Sequence, residues 1–300
     1  MRLAQAAGKA CARLQRHAGV LLVLWVCLMG ATTEQEKAGL IGRVHVVVQE
    51  SSTWQEGAIV DSLILQYDID GNQIESEHSS YKIGEGRLLI KERSVTSYDP
   101  KKQRKENISY KDDGSISGKS VSIFDANGNR TEFVAYGGDG AVIFRFVAKY
   151  DDKGNNFESI SYKSEKLVVS KTLRSFDEKG NAVETLVFKG DGSLDYKVLT
   201  KYDSNGRAVR EDLHGMGGEL GERRTYRYDD KLGLLEKTFA KANGEIALRE
   251  KYDYEFDAEG NWTKRVTSRW VGGVSGEGHF EMTDITKRQI SYFRHEKGQR

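Results

Sequence analysis

Apolar and polar residues alternate along much of this 300-residue chain. Phe144, Phe146 and Ala148 lead into Tyr150, for example, and polar residues such as Arg145 lie between them. Successive side chains of a β-strand point to opposite faces, so a period of two indicates strand. We therefore expect the segments between turns to be β-strands.

Some segments carry apolar residues on both faces. Phe133 and Ala135 alternate with Glu132 and Tyr136, which share the opposite face. Glutamates recur 26 and 52 residues after Glu132. Such mixed faces indicate either a thin, largely solvated sheet or a shell whose two surfaces meet different neighbours.

An aromatic residue followed by aspartate recurs every 26 residues. The six copies begin at Tyr98, Phe124, Tyr150, Phe176, Tyr202 and Tyr228. Because aromatic residues make up 10% of the sequence, six in fixed register would arise by chance about once in a million trials. The chain therefore contains an internal repeat, and we interpret these aromatic residues as its structural anchors.

Each aromatic–aspartate pair opens a turn motif, such as YDDKGN at Tyr150. The aspartate can accept the backbone N–H two residues later, and the following glycine can adopt the positive φ that a tight turn requires. The glycines of four central turns are Gly128, Gly154, Gly180 and Gly206. A weaker turn motif follows each strong one after 12 residues, so one period holds two turns and two strands.

The turn spacing predicts roughly nineteen strands between Val44 and Arg294. Strands joined by short loops pair in chain order, so the predicted fold is all-β, an antiparallel meander of tandem hairpin repeats. Twisted sheets rarely stay open beyond about ten strands, so we expect a strongly curved or spiralling sheet, either an open shell or a closed barrel-like one. The repeated aromatics should pack against counterparts on neighbouring hairpins.

The first residues have the pattern of a secretory signal peptide. Basic residues precede an apolar run from Ala18 to Met29, which small residues follow. A helix of this length spans about 18 Å, too short for a hydrocarbon core of roughly 30 Å. We therefore predict an exported protein, periplasmic, cell-surface or secreted, with no transmembrane helix after leader removal. Cys27 leaves lipidation open, although Val26 is bulky for that motif.

Both cysteines, Cys11 and Cys27, lie in this leader, so the exported chain has no thiol for a disulfide, a nucleophile or a zinc site. The leader holds four of the 46 basic residues and none of the 45 acidic ones, so its removal changes the net charge from +1 to −3. Proteins that bind nucleic acids usually carry a basic surface, so this net charge argues against a nucleic-acid partner.

The predicted divisions of the chain are a signal peptide at 1–31, an N-terminal β cap with the first irregular repeats at 32–97, a repeat region at 98–261, and a C-terminal β cap and tail at 262–300.

The aromatic-Asp-x-x-Gly-Asn copies between residues 67 and 261 resemble the YD-repeat family. This family comprises the tandem β repeats of bacterial Rhs proteins, insecticidal toxin-complex shells and animal teneurins. The resemblance implies a curved β shell and carbohydrate binding. The repeats are too few for the full enclosure of the large members, so the resemblance does not extend to toxin delivery. The ending GNWTKRVTSRW through RQISYF resembles small exported members of the family.

Three tryptophans are the candidate ligand contacts: Trp54, Trp262 and Trp270. An exposed indole can stack on a sugar ring or fill a pocket of a partner. These residues lie in the predicted caps, so the alternative is that they cover the ends of the core. Basic residues before the turns, such as Lys149 and Arg227, either form a stripe for acidic polysaccharide or pair with acids across the strands.

Other motifs have simpler structural explanations. Asp68, Asp70 and Asn72 have the spacing of a calcium loop, but the glycine and glutamate that such a loop needs are absent, which favours a turn. The histidines are scattered, and Ser275 lacks the strand-to-helix context of a nucleophile elbow. We therefore assign no catalytic residue, no metal ligand and no cofactor.

The sequence favours a non-enzymatic, exported binding or scaffolding module at the cell surface or in the periplasm. Its expected partner is a cell-surface glycan or another envelope protein. Two alternatives stay open: a hydrolase that acts on polysaccharide through paired carboxylates in a groove, and an outer-membrane β-barrel.

Overall fold

The computed structural model describes residues 33–53, 59–81, 88–231, 233–272 and 277–293. The predicted leader, Trp54 and Ser275 lie outside these residues. The described chain forms one short helix, α1 (Glu34–Lys37), a 3-10 turn (Pro100–Lys102) and eighteen strands. The strands are β1 (Val44–Thr53), β2 (Ile59–Tyr67), β3 (Gln73–Tyr81), β4 (Leu88–Asp99), β5 (Arg104–Lys111), β6 (Ile116–Phe124), β7 (Arg130–Gly137), β8 (Val142–Tyr150), β9 (Asn156–Lys163), β10 (Leu167–Phe176), β11 (Ala182–Lys189), β12 (Leu194–Tyr202), β13 (Ala208–His214), β14 (Leu220–Asp229), β15 (Gly233–Lys241), β16 (Ile246–Phe256), β17 (Trp262–Gly272) and β18 (Gly278–Tyr292).

The strands form one closed antiparallel barrel. Each strand pairs with the next along the chain, and β18 pairs with β1, so the sheet closes as an 18-stranded ring. This confirms the all-β meander and selects the closed form over the open shell. The count is eighteen rather than the predicted nineteen, because β18 runs through 15 residues without a turn.

The segments predicted as caps supply the seam of the ring. β1 pairs with β18 from Val44 opposite Tyr292 to Thr53 opposite Asp284. Beside the seam, the side chain of Asn261 accepts the N–H of Ile41 and donates to its carbonyl, both at 2.7 Å. Every described strand therefore has two neighbours, and the backbone groups that an edge strand would expose are paired.

The strong turns are short hairpin loops with a glycine of positive φ. In one of them the N–H of Asp151 donates to the carbonyl of Asn155, and the N–H of Gly154 donates to the carbonyl of Asp151, each at 3.0 Å. Gly154 has φ of +82°. The pattern is that of a type I turn followed by a G1 bulge. At Asp68 the carboxylate likewise accepts backbone N–H groups of its own turn, which accounts for the calcium-like spacing there.

Each strand divides its side chains between an inner and an outer face. One face is more buried, and it carries Tyr67, Glu250 and Tyr252, which are 1%, 5% and 7% exposed. Side chains inside a cylinder converge and those outside diverge, so this face lines the interior. Leu40, which lies between α1 and β1, packs there against Val47 and Tyr67. Extensive contacts join only neighbouring strands, so the wall is one sheet thick.

The register confirms the predicted alternation in β7. Phe133 and Ala135 lie opposite Phe146 and Phe144 on the inner face, whereas Glu132 lies opposite Val147 on the outer face. Mixed faces therefore belong to a shell with two different surfaces.

The predicted packing of repeated aromatics is confirmed for one pair and differs elsewhere. The rings of Tyr98 and Phe124 meet edge-on at 6.3 Å between centroids. At Tyr150 and Tyr202 the hydroxyl instead donates to a backbone carbonyl of the preceding hairpin, at 2.9 Å in both cases. No helix among the described residues is long and apolar enough to cross a membrane.

Candidate binding site on the inner face

The outer face repeats one chemistry around the barrel. Basic residues occur there every 26 positions, at Arg93, Lys119, Arg145, Lys171, Lys197, Arg223 and Arg249. Several of them pair with an acid on the preceding strand: Lys119 Nζ lies 3.2 Å from Glu106, and Arg145 Nε lies 2.6 Å from Glu132. The outer face therefore carries cross-strand ion pairs on successive hairpins.

Two of the basic residues proposed as a polysaccharide stripe, Lys149 and Arg227, belong to this paired surface. Lys149 Nζ lies 2.7 Å from Glu158, and Arg227 lies 3.3 Å from Glu236. A shallow outer cavity of about 420 Å³ is likewise lined in part by the ion pair of Lys264. These three cations already have carboxylate partners, so they are not free to bind an acidic ligand.

One set of inner positions changes from one repeat to the next. The positions that directly follow the outer basic residues hold Ser94, Ser120, Phe146, Thr172, Val198, Arg224 and Glu250. The outer basic positions named above keep one chemistry through all seven repeats. The inner positions differ in size, polarity and charge, as expected where a common scaffold carries a specific surface.

The inner face is divided into sectors of different chemistry. On β4 to β6 small polar groups bond to one another, as in Ser94 to Ser109 at 2.8 Å and Asn107 to Thr96 at 3.0 Å. β7 and β8 carry phenylalanines. β14 to β18 carry cations, carboxylates and aromatic rings together, and we name this last group the aromatic–cation sector.

Glu250 is the centre of one cluster in the aromatic–cation sector. Its carboxylate lies 2.9 Å from Lys237 Nζ and 2.7 Å from Arg269, and it accepts the hydroxyl of Tyr252 at 2.8 Å. Burial alone would raise the pKa of Glu250, but the hydrogen bonds from Lys237, Arg269 and Tyr252 outweigh it and lower the pKa to about 2. The carboxylate is therefore ionised and fully partnered at neutral pH.

A second cluster lies on β13 to β15. Tyr226 donates its hydroxyl to Glu211 at 2.8 Å, and burial together with this carboxylate raises the pKa of Tyr226. Arg224 Nε donates to Glu222 at 2.6 Å, while its guanidinium carbon lies 5.1 Å from the centroid of Phe239. This cluster again combines charged groups with an aromatic ring, and Glu222 compensates the positive charge of Arg224.

A third cluster contains two arginines around one tryptophan. The guanidinium carbon of Arg288 lies 3.6 Å from the ring centroid of Trp262, and that of Arg265 lies 5.5 Å from it. Arg288 Nε donates to Gln49 at 2.9 Å. Tyr254 packs edge-on against Trp262 at 6.2 Å. Burial, followed by the charge of Arg265, lowers the pKa of Arg288 to about 10.

The structure separates the candidate tryptophans. Trp262 lies on the inner face, whereas Trp270 lies on the outer face against Phe280, with 5.2 Å between ring centroids. A Cβ added at Gly272 or Gly278 would come within 2.5 Å of the Trp270 ring. Trp270 therefore covers glycine backbone at the end of a hairpin, and it cannot contact the same ligand as Trp262.

Among the residues that the structure describes, no group of three or more His, Cys, Asp or Glu side chains could hold a metal ion. His78 pairs with Asp61 at 3.0 Å and His279 with Glu281 at 2.9 Å, on separate strands. Each of these histidines therefore contacts a single carboxylate, and the two are not brought together.

Sequence reasoning singled out Trp262 in this sector but missed Arg265, Arg288 and Glu250. Arg265 and Arg269 stand on one face of the alternating β17 sequence, which was the available signal. The meeting of Arg265 with Arg288 follows from the pairing of β17 with β18. The partner Gln49 comes from β1, and only ring closure brings it there.

No family model matches the sequence, and no curated protein matches it. Two solved structures are similar in shape. A porin-like protein from Bacteroides uniformis has 10% identity over 83% of this chain and 98% of its own, with a TM-score of 0.49. A porin-like protein from Bacteroides vulgatus has 13% identity over 83% of this chain and 99% of its own, with a TM-score of 0.35.

A structure of TcdB2-TccC3 with Cdc42 is also similar, with 11% identity over 77% of this chain and 16% of its own and a TM-score of 0.18. At such identities these likenesses concern the fold alone.

Proposed function

We propose that this chain is a non-enzymatic binding module of the cell envelope, a β-barrel whose inner face holds the ligand. The contrast between the two faces carries the proposal. The outer basic positions repeat one ion-pair chemistry, whereas the inner positions directly after them differ from repeat to repeat and include rings and charged groups. A varied surface on a uniform scaffold is where specificity resides.

An envelope glycan is the ligand class that this surface fits best. Sugars are bound by aromatic rings together with hydrogen-bonding polar groups. The inner face offers both: Tyr196 is 39% exposed on β12, and hydroxyl and amide groups line β4 to β6. The resemblance to YD repeats and the predicted leader support an exported carbohydrate-binding role.

The outer-membrane alternative requires a continuous apolar band facing lipid. Ring closure is consistent with such a protein, because closed barrels satisfy all backbone groups. The outer face, however, carries the pairs of Glu106, Glu132 and Glu158 with basic residues on successive hairpins. Charges near the bilayer midplane cost about 2–4 kcal/mol each, so this surface favours water on both sides of the wall.

The hydrolase alternative requires a carboxyl group that is protonated near neutral pH. Among the described residues, the carboxyl groups with clearly displaced pKa values have them lowered. Glu158 is an example, because hydrogen bonds from Lys149 and Lys171 lower its pKa. Such groups remain ionised and suit binding and structural roles better than general acid catalysis.

A glycan array with the purified protein tests the proposal. We expect binding to at least one envelope glycan, weakened by Tyr196→Ala on the inner face and unaffected by Tyr162→Ala on the outer face, where Tyr162 lies opposite Arg145. Absence of any glycan or envelope-protein ligand would contradict the proposal. Cell fractionation tests the outer-membrane alternative, and we expect the protein to be released from membranes without detergent. Insertion of the purified protein into liposomes would favour the outer-membrane alternative.

A further inference from the structure

Arg265 and Arg288 are neighbours on the inner face without a carboxylate between them. Arg265 lies opposite Thr286 on β18, and Arg288 lies two residues further along the same face. Diagonal neighbours of this kind have side chains within reach of each other. Both guanidinium groups also lie against the one ring of Trp262. Two positive charges are therefore held side by side in a partly buried position.

The other inner cations of β14 to β17 have carboxylate partners. Arg224 pairs with Glu222 at 2.6 Å, and Lys237 and Arg269 share Glu250. Within the described part of the chain, neither Arg265 nor Arg288 is within ion-pair distance of an acid. Lys241 on the same face pairs with Glu245 at 2.6 Å. This sector thus compensates four cations and leaves two adjacent ones uncompensated.

The polar groups around the arginine pair do not supply the missing negative charge. Arg288 bonds to the neutral amide of Gln49. The nearby Tyr67 is a neutral phenol, since burial raises its pKa to about 12. Arg265 Nε is buried and has no hydrogen-bond partner in the described structure. An unsatisfied buried N–H next to a like charge is costly, and an anion would relieve both costs.

We propose that Arg265 and Arg288 bind an oxyanion group, a carboxylate, sulfate or phosphate, carried by a ligand that enters the barrel. Guanidinium groups match such anions through paired N–H donors. Trp262 and Gln49 hold Arg288 in place, so Arg288 is oriented before the anion arrives. The inference deepens the proposed function, on which it rests for the identity of the ligand as an acidic glycan. The site itself is testable with free anions.

The first experiment is a calorimetric titration of the purified protein with sulfate, phosphate and acetate, against chloride at equal ionic strength. We expect at least one oxyanion to bind saturably, and Arg288→Gln and Arg265→Gln each to weaken it about tenfold. Arg223→Gln is the matched control, since Arg223 lies on the outer face and pairs with Asp212 at 2.7 Å. It should bind as the unaltered protein does.

Two outcomes overturn the proposal: oxyanions behave like chloride, or both inner variants bind as the unaltered protein does. If a glutamine variant does not fold, Arg288→Lys is the substitute. It keeps the positive charge but removes the planar set of N–H donors, so its affinity for the oxyanion should be lower than that of the unaltered protein. A second readout uses Trp262 fluorescence in the leader-free protein with Trp54→Phe and Trp270→Phe, which should respond to the oxyanion and not to chloride. Glucuronate and a neutral hexose then separate the two proposals. Oxyanion binding without glycan binding contradicts only the proposed function, and glycan binding unaffected by Arg288→Gln contradicts only the arginine site.

Discussion

Tyr202 donates its hydroxyl to the backbone carbonyl of Ala182, 2.9 Å away on the preceding hairpin. Tyr150 makes the equivalent bond to Arg130, and Tyr254 makes it to Leu234 at 3.0 Å. These three bonds each tie a hairpin to the one before it at the strong-turn end of the barrel. The aromatic of the repeat thus contributes a polar tip as well as a ring.

We expect Tyr202→Phe to lower the free energy of unfolding by about 1 kcal/mol, the usual contribution of one such hydrogen bond. Tyr228→Phe is the matched control, because the Tyr228 hydroxyl has no hydrogen-bond partner among the described residues, and it should change stability little. Urea denaturation measures both. Equal effects of the two substitutions would show that the hydroxyl bond does not tie the hairpins.

The turn glycines should be sensitive to substitution for backbone reasons alone. Gly128 has φ of +82° and open space where a Cβ would lie, so Gly128→Ala should cost about 1–2 kcal/mol through left-handed strain. Gly221 lies in β14 outside the positive-φ region, with its nearest neighbour 3.6 Å from an added Cβ. Gly221→Ala should therefore be neutral or slightly stabilising in the same urea titration.

The Glu250 cluster predicts a defined acid sensitivity. Its pKa falls from 4.5 to about 2 on folding, so its contribution to stability is complete above pH 4.5 and is lost as the pH falls towards 2. Glu250→Gln should be less stable than the unaltered protein at pH 7, and the difference should narrow between pH 4.5 and 2. Thermal unfolding across this range provides the measurement.

The control for this pH profile is Glu255→Gln, which alters an exposed carboxylate on the same strand. It should leave the profile unchanged. A Glu250→Gln difference that stays constant between pH 7 and 2 would contradict the assignment of the acid-labile charge to Glu250.

Outer ion pairs should contribute modestly and in a salt-dependent manner. Glu158 accepts Lys149 and Lys171 at 2.7 and 2.8 Å, so Glu158→Gln should cost about 1 kcal/mol at low salt and less at high salt. Glu184 stands at the equivalent position one repeat later and has no ion pair within the described residues. Glu184→Gln should cost less, and denaturation at two ionic strengths compares the pair. A larger loss at Glu184 would contradict this account.

The hairpins were predictable because turn chemistry is local. An Asp and a Gly three residues apart, as in Asp151 and Gly154, determine the reversal wherever they occur. Ring closure was not predictable, because it depends on Val44 meeting Tyr292 across nearly the whole sequence. Open and closed forms contain the same hairpins and differ only in that last pairing.

The candidate site was likewise only partly predictable, because its residues come from distant parts of the sequence. Trp262 stood out by residue type, but the sequence alone does not reveal that Arg288 and Gln49 lie next to it. Nor does it reveal that Trp270, eight residues further along, faces the opposite way. The bulge between Glu255 and Phe256, where β16 and β17 change register, turns Trp262 inward. An extra residue in a strand reverses the side-chain alternation, and composition does not indicate where it falls.

The seam between β1 and β18 also has a consequence for biosynthesis. The strand that completes the ring is the last of the eighteen to be synthesised, so a nascent chain without β18 has two open edges that can pair with other chains. The barrel can close only after β18 is available. A chain that must cross a membrane before it folds would benefit from this delay. Without β18 the barrel cannot close, so the chain stays competent for translocation.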